Sequence, residues 1–163
     1  MDQKQALNIL KANQGLRTED ESLRFVEAIH YLDPNDPSLL PEILYLFRDD
    51  VPTDNPQKSL HSFLAHVDQA ALVRNLVLVS PVLNHQAKSW LRTLLTLVLS
   101  YSDQCIVLIE ALRTSSKLQR DTVLALINEI QAGLEQSRVV TKLDEEFDAL
   151  VRSGIKIVKS GLG

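Results

Sequence analysis

From the first residues to Val151, apolar side chains recur every three or four positions, in segments parted by short polar breaks that carry helix-start signals. Thr18-Glu19-Asp20-Glu21 has the form of a capping box: the threonine hydroxyl bonds the third helical N–H and Glu21 reaches back. Phe25, Val26, Ile29 and Leu32 follow at helical spacing. Ser116-Lys117-Leu118-Gln119 repeats the box, and Val123, Ile127, Ile130 and Leu134 follow it. A chain punctuated in this way is committed to helices before any other consideration enters.

The remaining breaks divide the chain further. A first helix is expected over residues 2–13, ended near Gly15. Asp33-Pro34-Asn35-Asp36-Pro37 interrupts the second helix, because proline removes a donor and disfavours helix in the residue before it. A third helix starts near Asp36 or Ser38 and runs through Ile43, Leu44, Leu46 and Phe47. Asn55-Pro56 reads as a cap followed by an N1 proline, opening a helix to about Val67. Asp68 opens another, which Ser80-Pro81 is expected to stop. Asn84 then caps a long helix to Tyr101 with an apolar face of Ala87, Trp90, Leu91, Leu94, Leu95 and Val98. Ser102 caps 103–113, and the helix from Ser116 runs to about Ser137. Thr141 caps the last helix, with Leu143, Phe147, Leu150 and Val151 on one face and Gly154 in the place of a C-terminal cap.

Five glycines in 163 residues leave little room for a many-stranded sheet, so the fold class is all-α, with eight or nine helices. Connections of about two to seven residues force neighbouring helices to run antiparallel. Every second start, near 19, 55, 85 and 117, is separated by 36, 30 and 32 residues, the size of a two-helix repeat. Segments 70–79 and 105–112 are apolar nearly all round, whereas their neighbours are amphipathic, as stacked helix pairs require. A short, irregular solenoid of HEAT-like pairs is therefore expected, with a compact bundle as the alternative. Residues 1–154 form one helical domain in this reading, and 155–163 a short, basic, loosely held tail.

Several function classes lose ground. The single cysteine, Cys105, sits in an apolar run and reads as a core residue. His61 and His66 are five apart, His30 and His85 stand alone, and Asp49 to Asp54 lacks the glycine and terminal glutamate of a calcium loop, so no metal is expected. Neither a glycine-rich phosphate loop nor a nucleophile elbow is present, so neither cofactor nor catalysis is expected. The polar opening Met1-Asp2-Gln3-Lys4-Gln5 and the brevity of the apolar runs predict a cytoplasmic protein with no membrane partner. Residues 1–68 hold 12 acids against 6 bases, while the rest of the chain is nearly balanced. Nucleic acid would be repelled by that half and a basic protein attracted.

The acids therefore mark the candidate partner-binding residues. In a stack of antiparallel helices, Glu19, Asp20 and Glu21 share one end with Asp49, Asp50 and Asp54, while Asp33, Asp36, Asp68 and Asp103 fall at the other. Most of them stand at helix N-termini, where the helix dipole explains them. Asp49 and Asp50 follow a helix end, where that explanation fails, and they are expected to belong to a binding surface. Among the aromatics, Phe47, Trp90 and Tyr101 read as core, whereas Tyr31 and Tyr45 lie near acidic loops and are candidate anchors.

The run Leu32-Asp33-Pro34, then Leu39-Leu40-Pro41-Glu42-Ile43-Leu44-Tyr45-Leu46-Phe47, then Asp49-Asp50 with a following proline and Ser59-Leu60-His61, is similar to the immunity protein 30 family of bacterial polymorphic toxin and contact-dependent inhibition systems. Here Arg48 interrupts the Phe–Asp–Asp run, and the proline comes two residues after the acids. The resemblance implies a small cytoplasmic protein that binds and neutralises a cognate toxin, and it supplies no catalytic residue. A toxin of basic character, such as a nuclease domain, would suit the charge. A helical-repeat adaptor in another bacterial complex would share the fold and differ in its partner.

Overall fold

The computed structural model describes residues 1–136 and 141–163. Among them are nine α-helices: α1 (Gln3–Ala12), α2 (Glu19–Ile29), α3 (Leu40–Leu44), α4 (Asn55–Leu64), α5 (Gln69–Gln86), α6 (Lys88–Leu99), α7 (Ser102–Thr114), α8 (Lys117–Gln136) and α9 (Lys142–Leu162). A single 3-10 turn, Pro37–Leu39, leads into α3. No strand occurs among the described residues. The class is all-α, with the expected number of helices.

The locally encoded starts form as expected. Thr18 Oγ1 accepts from Glu21 N at 3.1 Å, although Glu21 Oε2 reaches one residue further back, to Arg17 N at 2.7 Å. At α8 the box is complete: Gln119 N donates to Ser116 Oγ and Ser116 N to Gln119 Oε1. Thr141 Oγ1 accepts from Asp144 N. The expected end of α8 at Ser137 lies outside the described residues.

Other boundaries move, each for a physical reason. α1 stops at Ala12, and the left-handed residue after it is Leu16 (φ 50°), not Gly15. Leu16 is buried, and its side chain holds the turn against the core. The helix expected through Phe47 ends at Leu44, and α4 begins at Asn55 itself with no side-chain cap. Ser102 likewise sits inside α7 and caps nothing. Ser80-Pro81 does not stop α5, which continues to Gln86. Pro81 cannot donate to the Val77 carbonyl, but the buried Ser80 hydroxyl donates to it instead, at 2.8 Å. Asn84 therefore lies within α5, and the break falls at Ala87, before α6.

The odd-numbered helices α3, α5, α7 and α9 pack in succession, while α2 packs on α1 and α4. α5 also touches α6 and α8, and α9 returns against α6, α7 and α8. One core runs through the molecule from Ala6 to Val158. The coverage expected for the apolar segments is incomplete: Leu78 on α5 and Ile106 on α7 remain exposed. No single described helix is long and apolar enough to cross a membrane. The apolar pair α6 and α7 bends by 119° at Ser100–Tyr101.

The expected stop at Gly154 and the loose tail are corrected by α9, which is continuous to Leu162 and buries Val151, Gly154, Ile155 and Val158. Val151, Ile155 and Val158 each contribute about 1.5–3 kcal/mol by side-chain burial, enough to hold the segment down. Gly154 is a packing glycine, seated against the Leu99 carbonyl at the α6–α7 corner. By contrast Leu143, Phe147 and Leu150, expected on the buried face with Val151, stand exposed.

Candidate functional site

Between α3 and α4 the chain runs without regular structure, and its backbone groups need partners from elsewhere. Two glutamines supply them. Gln57, buried on α4, accepts from Arg48 N through Oε1 at 2.7 Å and donates to Arg48 O through Nε2 at 2.8 Å. Gln86, at the end of α5, donates to Tyr45 O at 2.8 Å and Phe47 O at 3.1 Å. The backbone carbonyl of Gln86 accepts from Asp49 N at 3.0 Å.

Asp49 has a structural task that its own segment does not reveal. Its Oδ2 accepts from Ser89 N at 2.9 Å, so it caps α6, whose N-cap position is an alanine without a side-chain acceptor. The expectation that capping does not explain this residue is corrected: the helix it caps begins some 40 residues later. Asp50 is held by both arms of Arg48, Nε at 2.8 Å and Nη2 at 3.0 Å. That hydrogen bonding keeps the Asp50 carboxyl below the usual aspartate range and raises Arg48 above its own. Reversing the two acids should therefore give unequal results. Asp49→Lys removes a cap and places a cation at a helix N-terminus, which should cost about 1–2 kcal/mol in a urea melt. Asp50→Lys should leave the melt nearly unchanged, because exposed pairs contribute little. Equal melts for the two variants would remove Asp49 from the α6 cap.

The loop separates two clefts. One, of about 360 Å³, brings Glu21 and Asp50 together, as expected from their shared end, but Lys11, Arg17 and Arg48 line it too. The other, of about 510 Å³, is lined by Asp49, Asp54, Gln57, His61 and Trp90. Trp90 is half-buried and packs against Phe47 (ring centroids 4.9 Å apart) and His61 (5.9 Å). Half of the six acids of this edge make ion pairs, Asp20 with Arg24, Asp50 with Arg48 and Asp54 with Lys58, and Glu42 pairs with Lys11. Glu19 makes no ion pair among the described residues and lies in the first turn of α2. Tyr45 is 41% exposed beside this edge and Tyr31 46%.

Asp33 and Asp36 are organised from α1. Gln3 accepts from Asp33 N at 2.7 Å and donates to Asp36 Oδ2 at 2.9 Å. Asp36 caps the 3-10 turn, and hydrogen bonds from the Ser38 hydroxyl and N–H hold its carboxyl below the usual range. Asp33 accepts from Asn35 N. Asp68 caps α5 through Ala70 N.

A third concavity was not foreseen. Residues of α4, α5, α6 and α7 enclose an open groove of about 690 Å³ with an apolar floor that includes Leu64, Leu72, Leu94 and Val98. Tyr101, expected in the core, stands 56% exposed at its lip. Cys105 is buried as expected, its thiol directed at the Val98 and Leu99 carbonyls, and burial pushes its pKa up to about 11. Among the described residues no three histidine, cysteine or carboxylate side chains gather as a metal site would require.

Fold and surface together define an all-helical protein that offers open clefts edged by paired acids. The family model for immunity protein 30 matches residues 12–108, more than half of the chain, and the chain belongs to that family. The partner that membership implies is a cognate toxin. No match was found among curated proteins or among solved structures.

Proposed function

We propose that this protein binds one toxin and neutralises it by covering the toxin's active site, acting in the cytoplasm without catalysis of its own. The observation that carries this reading is the match to the immunity family over residues 12–108. The charge distribution supports a toxin with a basic face, such as a nuclease domain. Residues 1–68 carry a net charge of -6, a long-range field that speeds encounter with a cation-rich surface even though Asp20, Glu42, Asp50 and Asp54 are locally paired. Asp50, Asp54, Glu19, Asp20 and Tyr45 lie on that half and are proposed to face the partner, with Asp33 and Asp36 at its other end.

The test is co-purification of the tagged chain with the toxin domain encoded beside it, followed by toxin activity and growth-rescue assays. A stoichiometric complex, rescue of growth, and inhibition that competes with the toxin's substrate are the expected results. Absence of both complex and rescue would overturn the reading. A complex in which the toxin still turns over substrate would overturn the occlusion mechanism.

A further inference from the structure

The groove between α4, α5, α6 and α7 is larger than the two clefts beside the 45–54 loop, and leucine and valine side chains form much of its floor. At about 690 Å³ it lies within the roughly 300–1,000 Å³ range of sites that bury a ligand's apolar surface. Leu97 is partly exposed on one wall and Tyr101 stands at the lip, an aromatic of the kind that dominates interface energetics. The floor is rigid, because Leu72, Leu76, Leu94 and Val98 are themselves buried members of the core.

Charge selects the occupant. No lysine or arginine lines the groove, whereas Asp103 does, and Asp68 adjoins the lining residue Gln69. Two histidines, His61 and His66, also line it, and burial holds His61 below the usual histidine pKa, which disfavours its charged form. A concave surface cannot fill a copy of itself. The longest exposed apolar row a second copy could offer is Leu143, Phe147 and Leu150 of α9, and it is flanked by Asp144, Glu145, Glu146 and Asp148; the Leu78 and Val82 pair on α5 is shorter. That ridge has a suitable shape and the wrong sign. All the lining residues lie between His61 and Gln104, inside the span that defines the family.

We propose that this groove is the toxin-docking site, and that it receives a protruding apolar segment of the toxin flanked by lysine or arginine. The inference rests on the immunity reading and places the main contact in this groove, with the acids of residues 1–68 supplying the long-range field that speeds encounter. Apolar burial against the floor supplies the affinity, while Asp68 and Asp103 set the register of the basic flank.

The probe is the toxin domain encoded beside this chain, titrated by calorimetry against the full-length protein. Tyr101→Ala, at an exposed position, should weaken binding by about 30-fold, the size of a hot spot. Leu97→Asp should weaken it by about 100-fold, by placing a carboxylate where apolar contact forms. Asp103→Lys should weaken it by about 10-fold and flatten its salt dependence. Hydrogen exchange on the unmutated complex should protect residues 61–69 and 94–104, a result that does not depend on any variant folding. Affinities within about threefold of the parent, or protection confined to residues 48–54 or to α9, would overturn the inference while leaving the immunity reading intact. No binding by the unmutated chain would overturn both. A homodimer closed through the groove, seen by sedimentation, would overturn the assignment of its occupant.

Discussion

Gly154→Ala should lower the stability of the folded chain by about 3 kcal/mol, the upper end of what forcing atoms into a packed interior typically costs. In an exposed helix the same change would stabilise by about 1 kcal/mol, because alanine is the better helix former. The sign therefore reports the packing of α9 directly. A methyl group at residue 154 would lie 1.7 Å from the Leu99 carbonyl oxygen, 2.7 Å from its carbon and 3.0 Å from Cys105 Sγ. The first two are backbone atoms at the end of α6 and cannot swing aside. α9 would have to lift from the α6–α7 corner, uncovering part of Val151, Ile155 and Val158. Gly161 provides the contrast on the same helix: its methyl would meet the end of the flexible Ile109 side chain at 2.4 Å, which a rotamer change relieves. In urea melts, Gly154→Ala should shift the midpoint strongly and Gly161→Ala only weakly. A Gly154→Ala protein as stable as the parent would mean that α9 is not seated where the structure places it.

The same glycine shows where sequence reasoning stops. A glycine after an apolar stripe fits a C-terminal cap and a close helix crossing equally well. The atom that decides between them belongs to Leu99, 55 residues earlier. The signals that read correctly span three or four residues: the Thr18, Ser116 and Thr141 caps bond within their own first turns. Pro81 is local too, but its sequence neighbours do not say that Ser80 will satisfy the Val77 carbonyl and let the helix continue. The family was legible in residues 32–61 because its leucine-rich run lies in one contiguous stretch. The groove draws on four helices and has no contiguous signature. Asp49 was recognised as an acid without a local reason, and that reason proved to be a helix start far along the chain.

Gln57→Leu should destabilise the protein by about 2–4 kcal/mol, although leucine matches the buried volume and is the more apolar residue. Gln57 is 1% exposed, and its amide closes a two-bond ring on Arg48 N and O. Leucine would leave that N–H and C=O facing an apolar wall, and each orphaned group costs about 1–3 kcal/mol, more than the added hydrophobic transfer returns. Gln57→Glu should be milder at low pH, where a protonated carboxyl can still donate to Arg48 O and accept from Arg48 N. It should worsen as the pH rises and the carboxylate loses the ability to donate. A urea melt of Gln57→Leu equal to that of the parent would show that the 45–50 segment is held by other contacts. The variant also separates the two surfaces on this protein. It loosens the loop that carries Asp49, Asp50 and Asp54 and leaves the side chains of the groove in place. Compared at equal folded fraction, a toxin gripped by the loop would lose affinity with Gln57→Leu, while one docked in the groove would keep most of it.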